Sequence, residues 1–164
     1  LLDTRRVDSS AYPEDLFRAV EQIGGERGWY YATFLWKWRG YLDEWVGGVG
    51  MRRGRRHPDR LLPGDVLDCW RVEKVEPGRL LRLRAEMKLP GRAWLEFEVT
   101  PNDDGGAVLT QTAVFDPKGL SGLCYWYGIY GLHELVFRGM AKGVVAEAER
   151  TSSALACRRH GPPP

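Results

Sequence analysis

The sequence predicts an α+β domain in which a curved antiparallel sheet is covered by a long C-terminal helix, with two shorter helices near the N-terminus. Three observations carry that expectation. Apolar and polar residues alternate through successive segments after Asp65, turn-forming residues separate the segments, and the C-terminal part switches to a spacing of three and four. A strand that alternates has one dry face, and a sheet with one dry face needs a cover. The long helical stretch is the element with the length to supply it.

The N-terminal elements are the less marked ones. Thr4 to Ala11 reads as a first strand, with Arg6 alternating with Val7. Pro13-Glu14-Asp15 then opens a short helix to about Ile23, because proline fits the first turn and the acids suit the positive end of the helix dipole. Gly24-Gly25 ends it. Between Trp29 and Val46, Phe34, Trp38, Tyr41 and Trp45 recur at spacings of four, three and four, which predicts a second helix. Such a stripe is expected to be core, although four tryptophans in so short a span leave some to line a cavity or face a second domain. Gly47-Gly48-Val49-Gly50 breaks this helix. The five arginines between Arg52 and Arg60 suit phosphate oxygens, but a solvated loop pairing with Asp59, Asp65 or Asp68 is the expectation.

The sheet follows. Between Arg79 and Leu89, Leu81, Leu83, Ala85, Met87 and Leu89 share one parity, and Arg82, Arg84, Glu86 and Lys88 the other. Pro77-Gly78 and Pro90-Gly91 turn the chain at its two ends, so its neighbours are antiparallel. Arg92 to Thr100 sets Ala93, Leu95, Phe97 and Val99 against Trp94, Glu96 and Glu98. After the turn from Asn102 to Gly106, Leu109, Gln111, Ala113 and Phe115 oppose Val108, Thr110, Thr112 and Val114. Val66 to Val75 is mixed, with Trp70 and Val72 facing away from Cys69, Arg71, Glu73 and Val75. Beyond Asp116-Pro117-Lys118-Gly119, Leu123, Tyr127, Tyr130, Glu134, Phe137, Ala141, Val144 and Ala148 form one helical stripe. No acidic or basic residue falls between Gly119 and Leu132, so the first half of this helix is expected to be buried and the second half partly exposed. One domain is expected over residues 1–150, with a disordered tail at 151–164.

Composition limits the function classes. A chain of 164 residues holds one domain with its own core, and a formal net charge of +2 is too small to imply nucleic acid or an anionic membrane surface. The apolar run after Gly119 is shorter than the about 20 residues of a transmembrane helix. Cys69, Cys124 and Cys157 form no CxxC pair and leave an odd one over, which points to a reducing, cytoplasmic setting. The opening Leu1-Leu2-Asp3, without methionine, leads to the expectation of a piece of a longer protein. His133-Glu134 lacks the second histidine of a zinc peptidase, since position 137 is Phe137, and His57 and His160 lie far away, so no metal is expected. There is no GxSxG elbow and no GxGxxG, so no catalytic motif and no cofactor are expected in this chain.

Polar groups on otherwise apolar faces remain. Gln111 shares a parity with Leu109 and Ala113, and a buried amide without partners costs about 1 to 3 kcal/mol. Tyr127, Tyr130 and His133 lie within two helical turns of one another and are expected to reach the same space. With Trp70, Leu83, Met87 and Phe97 they outline a mostly dry pocket with a few polar anchors, the usual make-up of a small-molecule site.

The order of elements resembles the helix-grip fold of the SRPBCC superfamily, which includes START lipid-transfer domains and polyketide cyclases. Val75-Glu76-Pro77-Gly78-Arg79-Leu80-Leu81 and Leu109-Thr110-Gln111-Thr112-Ala113-Val114-Phe115 are similar to its strand wording. The segments Gly47 to Arg56, Asp68 to Glu73, Tyr125-Trp126-Tyr127 and Phe137-Arg138-Gly139-Met140 resemble an uncharacterised bacterial domain family. Members of that family often follow a Rossmann-type NAD(P)-binding domain. The resemblance implies a small hydrophobic ligand, a fused or neighbouring Rossmann-type partner that could hold NAD(P), and no catalytic residues to carry over. The alternatives are a cyclase- or hydrolase-like enzyme with His133 or Glu134 as base and Tyr130 or Gln111 on an oxyanion, or a purely structural interaction domain.

Overall fold

The computed structural model describes residues 1–45, 47–50 and 60–159. Met51 to Asp59, with most of the arginine-rich segment, lie outside the described residues. Six strands form one antiparallel sheet in the order β1-β6-β5-β4-β3-β2. They are β1 (Leu2–Ser9), β2 (Val66–Leu67), β3 (Trp70–Glu76), β4 (Leu80–Ala85), β5 (Gly91–Pro101) and β6 (Ala107–Pro117). Helices α1 (Pro13–Glu21) and α2 (Thr33–Trp45) come between β1 and β2, and α3 (Gly119–Arg159) ends the chain. The curved sheet, long C-terminal helix and two short N-terminal helices are those expected of the α+β helix-grip architecture.

Register follows the alternation read from the residues. Leu81 pairs with Phe97 and Leu83 with Leu95, while Phe97 and Leu95 pair in turn with Gln111 and Ala113, so one apolar face runs across three strands. The mixed first segment has a physical cause. It breaks at Asp68, whose φ of 54° makes a two-residue turn between β2 and β3. Further on, the register shifts between Val72 and Lys74, so that Val75 lies opposite Leu81 on the core side. β4 stops at Ala85, four residues short of the expected Leu89, and Glu86 to Pro90 leave the sheet as a loop. On β1 the inward parity holds Asp3, Arg5 and Val7, with Arg5 opposite Gln111 and the Asp3 carboxylate 2.6 Å from the Arg5 guanidinium.

The core sits between the sheet, α1 and the second half of α3. Leu16, Phe17 and Val20 of α1 meet Met140, Ala141, Val144 and Ala148 of α3, all buried. Each large apolar side chain so buried stabilises the fold by about 1.5–3 kcal/mol. At the far end, Glu149 accepts hydrogen bonds from the Ser10 N–H at 2.8 Å and from the Ser9 and Ser10 hydroxyls, which fastens α3 to the turn after β1. These donors hold its carboxyl below the usual carboxylate range.

Two faces differ from expectation. The stripe Phe34, Trp38, Tyr41 and Trp45 is not core: these side chains are 67%, 64%, 58% and 78% exposed. Trp36, Gly40 and Asp43 form the buried side of α2 instead. A buried carboxylate decides the rotation, because Asp43 accepts from the Gly50 N–H at 3.0 Å and the Lys88 N–H at 2.8 Å and turns the aromatic side outward. The first half of α3 is also less covered than its composition suggests, with Leu120, Tyr127, Leu132 and Leu135 exposed and Trp126 facing in. A helix apolar on all sides has no unique phase, so only the surface it meets can select one. The helix also runs through residues 151–159, a stretch whose composition reads as tail. Among the described residues no helix is long and apolar enough to cross a membrane, and no group of side chains has the make-up of a metal site.

Candidate functional site

A cavity of about 440 Å³ lies between α2, the strand ends and the first half of α3. Its existence follows from how these elements are held apart. α3 packs on α1, β1 and β6, whereas α2 makes no comparable contact with the sheet. The start of α3 is pinned at Gly122, where a Cβ would come 2.4 Å from the Pro90 carbonyl oxygen, so the helix passes close over the ends of β5 and β6 at that point. On the opposite side, Asp43 ties α2 to the loop after β4 and carries Met87 and Leu89 into the wall.

The wall is largely aromatic. Trp36 stacks on Trp29 at 4.9 Å, meets Trp70 edge-on at 6.3 Å and lies 6.0 Å from Phe137. From the other end Phe115 stacks on Trp126 at 5.6 Å with 7° between the planes, and His133 sits between Trp126 and Phe137 at 5.6 and 4.7 Å. Aromatic pairs in these geometries contribute about 0.5–1.5 kcal/mol beyond their area, which stiffens the wall. Leu35, Ala113 and Ile129 are among the other apolar residues that line it. Trp29 is held in turn by Asp68, whose carboxylate accepts its indole N–H at 2.9 Å and the Gly25 N–H at 3.2 Å.

Electrostatics in the wall are muted. Burial pushes the His133 imidazole down to about 4, with Asp3 pulling it upward and Arg5 downward by lesser amounts, so it is neutral at pH 7. Arg39 donates to the Lys88 carbonyl oxygen at 3.3 Å and has the Asp43 carboxylate 3.8 Å away. Cys69, behind the wall, is pushed up to about 12, chiefly by burial and then by Asp68, and is no nucleophile. Among the described residues Cys69 and Cys124 are free thiols.

The residues picked out from the sequence are divided by the structure. Trp70, Met87 and His133 line the cavity together. Leu83, Phe97 and Gln111 share the sheet face but lie beneath, each at most 1% exposed, in the core proper. Among the described residues, neither polar atom of the Gln111 amide has a hydrogen-bond partner. Tyr127 and Tyr130 are 67% and 43% exposed on α3 and do not line the cavity. Sequence reasoning missed Trp36, Phe115 and Trp126. The spacing Gly122, Trp126, Ile129, His133, Phe137 is as helical as the stripe through Tyr127, and Trp36, Gly40, Asp43 as helical as the one through Trp38. In both cases two phases compete, and composition does not rank them.

Residues 1–140 match the family described as Protein of unknown function (DUF2867). The chain belongs to that DUF2867 family. None of the curated proteins matches it. Among solved structures, the di-domain ARO/CYC StfQ from the steffimycin biosynthetic pathway superposes with a TM-score of 0.55 at 14% identity, over 93% of this chain and 51% of StfQ. Ara h 8.0201 gives 0.52 at 11% identity, over 90% and 97%. Protein MLL2253 from Mesorhizobium loti gives 0.51 at 17% identity, over 92% and 98%. This DUF2867 domain thus shares the helix-grip fold of these structures.

Proposed function

We propose that this DUF2867 domain binds a small hydrophobic molecule in the cavity between the sheet, α2 and the first half of α3. The observation that carries the reading is the space itself: about 440 Å³, inside the range of small-molecule sites, walled by aromatic and aliphatic side chains. Elements that only packed on one another would close such a gap, since interiors are filled to crystal-like density. The fold shared with StfQ, an ARO/CYC, supports it. Native mass spectrometry of the purified domain, with thermal melts against a panel of lipids and aromatics, tests it. A copurified molecule or a raised melting temperature is expected. Ala113→Phe, which projects a ring into the space from β6, removes the effect while the domain still folds. No adduct and no shift across the panel would overturn the reading.

The cyclase- or hydrolase-like alternative keeps one observation in its favour, the presence of His133 in the wall. Glu134 is exposed on α3 and does not line the cavity, and an imidazole held near 4 is a weak base. Binding is therefore favoured over catalysis. We take the domain to work in the cytoplasm and to serve a Rossmann-type NAD(P)-binding partner, readings supported by its cysteine usage and by family resemblance respectively. NAD(P)H binding by the full-length protein, measured beside this domain alone, tests the second.

A further inference from the structure

Helix α2 turns its aromatic side away from the protein. Phe34, Trp38, Tyr41 and Trp45 are each more than half exposed, and Leu42 beside them is nearly half exposed. The helix does not roll to cover them, because Asp43 on its opposite side is wholly buried and held by the Gly50 N–H at 3.0 Å and the Lys88 N–H at 2.8 Å. At about 150–250 Å² per aromatic side chain, the four leave about 400–650 Å² of apolar surface open, which reaches or passes the about 300–600 Å² of the largest patch on a typical monomer. Tyr41 and Trp45 already pack on each other, with ring centroids 6.3 Å apart, so part of this surface is ordered in advance. The stripe also has a symmetry. Its spacings of four, three and four read the same in either direction about the midpoint between Arg39 and Gly40. Lys37 and Glu44, both exposed, lie two helical turns apart and so share one flank of it.

We propose that this face receives a second copy of the chain, the two α2 helices packing antiparallel about a twofold axis that passes between Arg39 and Gly40. The inference stands apart from the binding reading, since it needs no ligand in the cavity. Antiparallel pairing about that point sets Phe34 against the partner's Trp45 and Trp38 against the partner's Tyr41, and symmetry repeats each contact, so all four rings are covered at once. The same operation keeps each flank facing its own copy. Lys37 then comes within two residues' rise, about 3 Å along the axis, of the partner's Glu44, and Glu44 equally of the partner's Lys37. A parallel pair would instead place Lys37 beside the partner's Leu42 and stack like rings on like, without that charge match. With Leu42 and the alkyl stems of Lys37 and Glu44, the covered surface approaches the about 800 Å² per partner of a standard interface. Leu35 and Leu42, on the other flank, also line the cavity, so the second copy sits at its rim.

Sedimentation equilibrium of the chain, from low to several hundred micromolar, tests it. A reversible dimer with a dissociation constant in the micromolar range or below is expected. Trp38→Glu, on a face exposed in the monomer, is expected to raise that constant about a hundredfold or more while the far-ultraviolet circular dichroism and melting temperature stay near those of the unaltered chain at low concentration. Charge reversal reads the orientation. Lys37→Glu and Glu44→Lys each set like charges against each other twice per dimer and weaken it about tenfold, whereas an equimolar mixture of the two single variants restores both opposite-charge contacts and associates about as tightly as the unaltered chain. That rescue needs no variant of the aromatic residues, so it holds even if Trp38→Glu fails to fold. A chain that stays monomeric throughout overturns the proposal, and cosedimentation of that monomer with phosphatidylcholine vesicles would give the face to a lipid surface instead. A dimer that Trp38→Glu leaves unchanged lies on another face and overturns it too. Loss of the dimer in both single charge variants without rescue on mixing overturns the antiparallel pairing.

Discussion

Between pH 6.5 and about 4, His133 is protonated in the unfolded chain but neutral in the native one, because burial against Trp126 and Phe137 pushes its pKa down to about 4. The unfolded state binds the extra proton throughout that window, so stability falls as pH falls. Above pH 6.5 the imidazole is neutral in both states and adds no pH dependence; below about 4 it is charged in both and the loss is complete. At about 1.4 kcal/mol per pKa unit the full loss is about 3 kcal/mol, an upper bound because the ring is half-buried rather than enclosed. Urea unfolding of the wild type and of His133→Leu, followed from roughly pH 7.5 to 3.5, reads the difference. Leucine keeps an apolar side chain in the wall and cannot titrate, while carboxylates such as Glu149 are common to both proteins. The wild type is expected to lose up to about 3 kcal/mol more than the variant, most of it above pH 4. Parallel curves would show that the imidazole is not desolvated and would refute the reasoning.

Three further outcomes are expected. Glycines on α3 should split by sign: Gly143→Ala costs about 1–3 kcal/mol because its Cβ would meet the Tyr30 Cβ at 2.7 Å and carbonyl oxygen at 3.0 Å, whereas Gly131→Ala, with nothing within 4 Å, gains about 0.5–1 kcal/mol, as thermal melts will read. Asp68→Ala leaves the Trp29 and Gly25 N–H groups unpaired and costs about 2–4 kcal/mol in chemical denaturation, while Asn, which tolerates positive φ and keeps an acceptor, costs less than half as much; equal losses would remove Asp68 from its anchoring role. Gln111→Met replaces an unpartnered amide by an apolar chain of similar shape and is expected to stabilise by about 1 kcal/mol, so a lowered melting temperature would mean that the amide has a partner after all.

The residues alone determined the sheet and its dry face. Strands read by period two have a fixed phase once a turn such as Pro90-Gly91 is placed, which is why Leu83, Phe97 and Gln111 share the inner face as the alternation requires. They also determined that a long helix would cover the sheet, and the C-terminal part of its stripe, Phe137, Ala141, Val144 and Ala148, is the buried one. Only the tertiary structure decided the rotation of α2 and of the first half of α3, and with it which rings wall the cavity. An aromatic stripe at Phe34, Trp38, Tyr41 and Trp45 outweighs Trp36, Gly40 and Asp43 in hydrophobicity, yet the latter side is buried. Asp43 is held there by backbone N–H groups 7 and 45 residues away in the chain. A preference set by partners so distant leaves no trace in local spacing. Trp126 replaces Tyr127 for the same reason: on a helix segment apolar all round, the inward face is chosen by Phe115, Phe137 and the approach of Gly122 to Pro90. Period is a local property of a chain, but phase, where a helix offers two apolar faces, belongs to the surface against which it comes to rest.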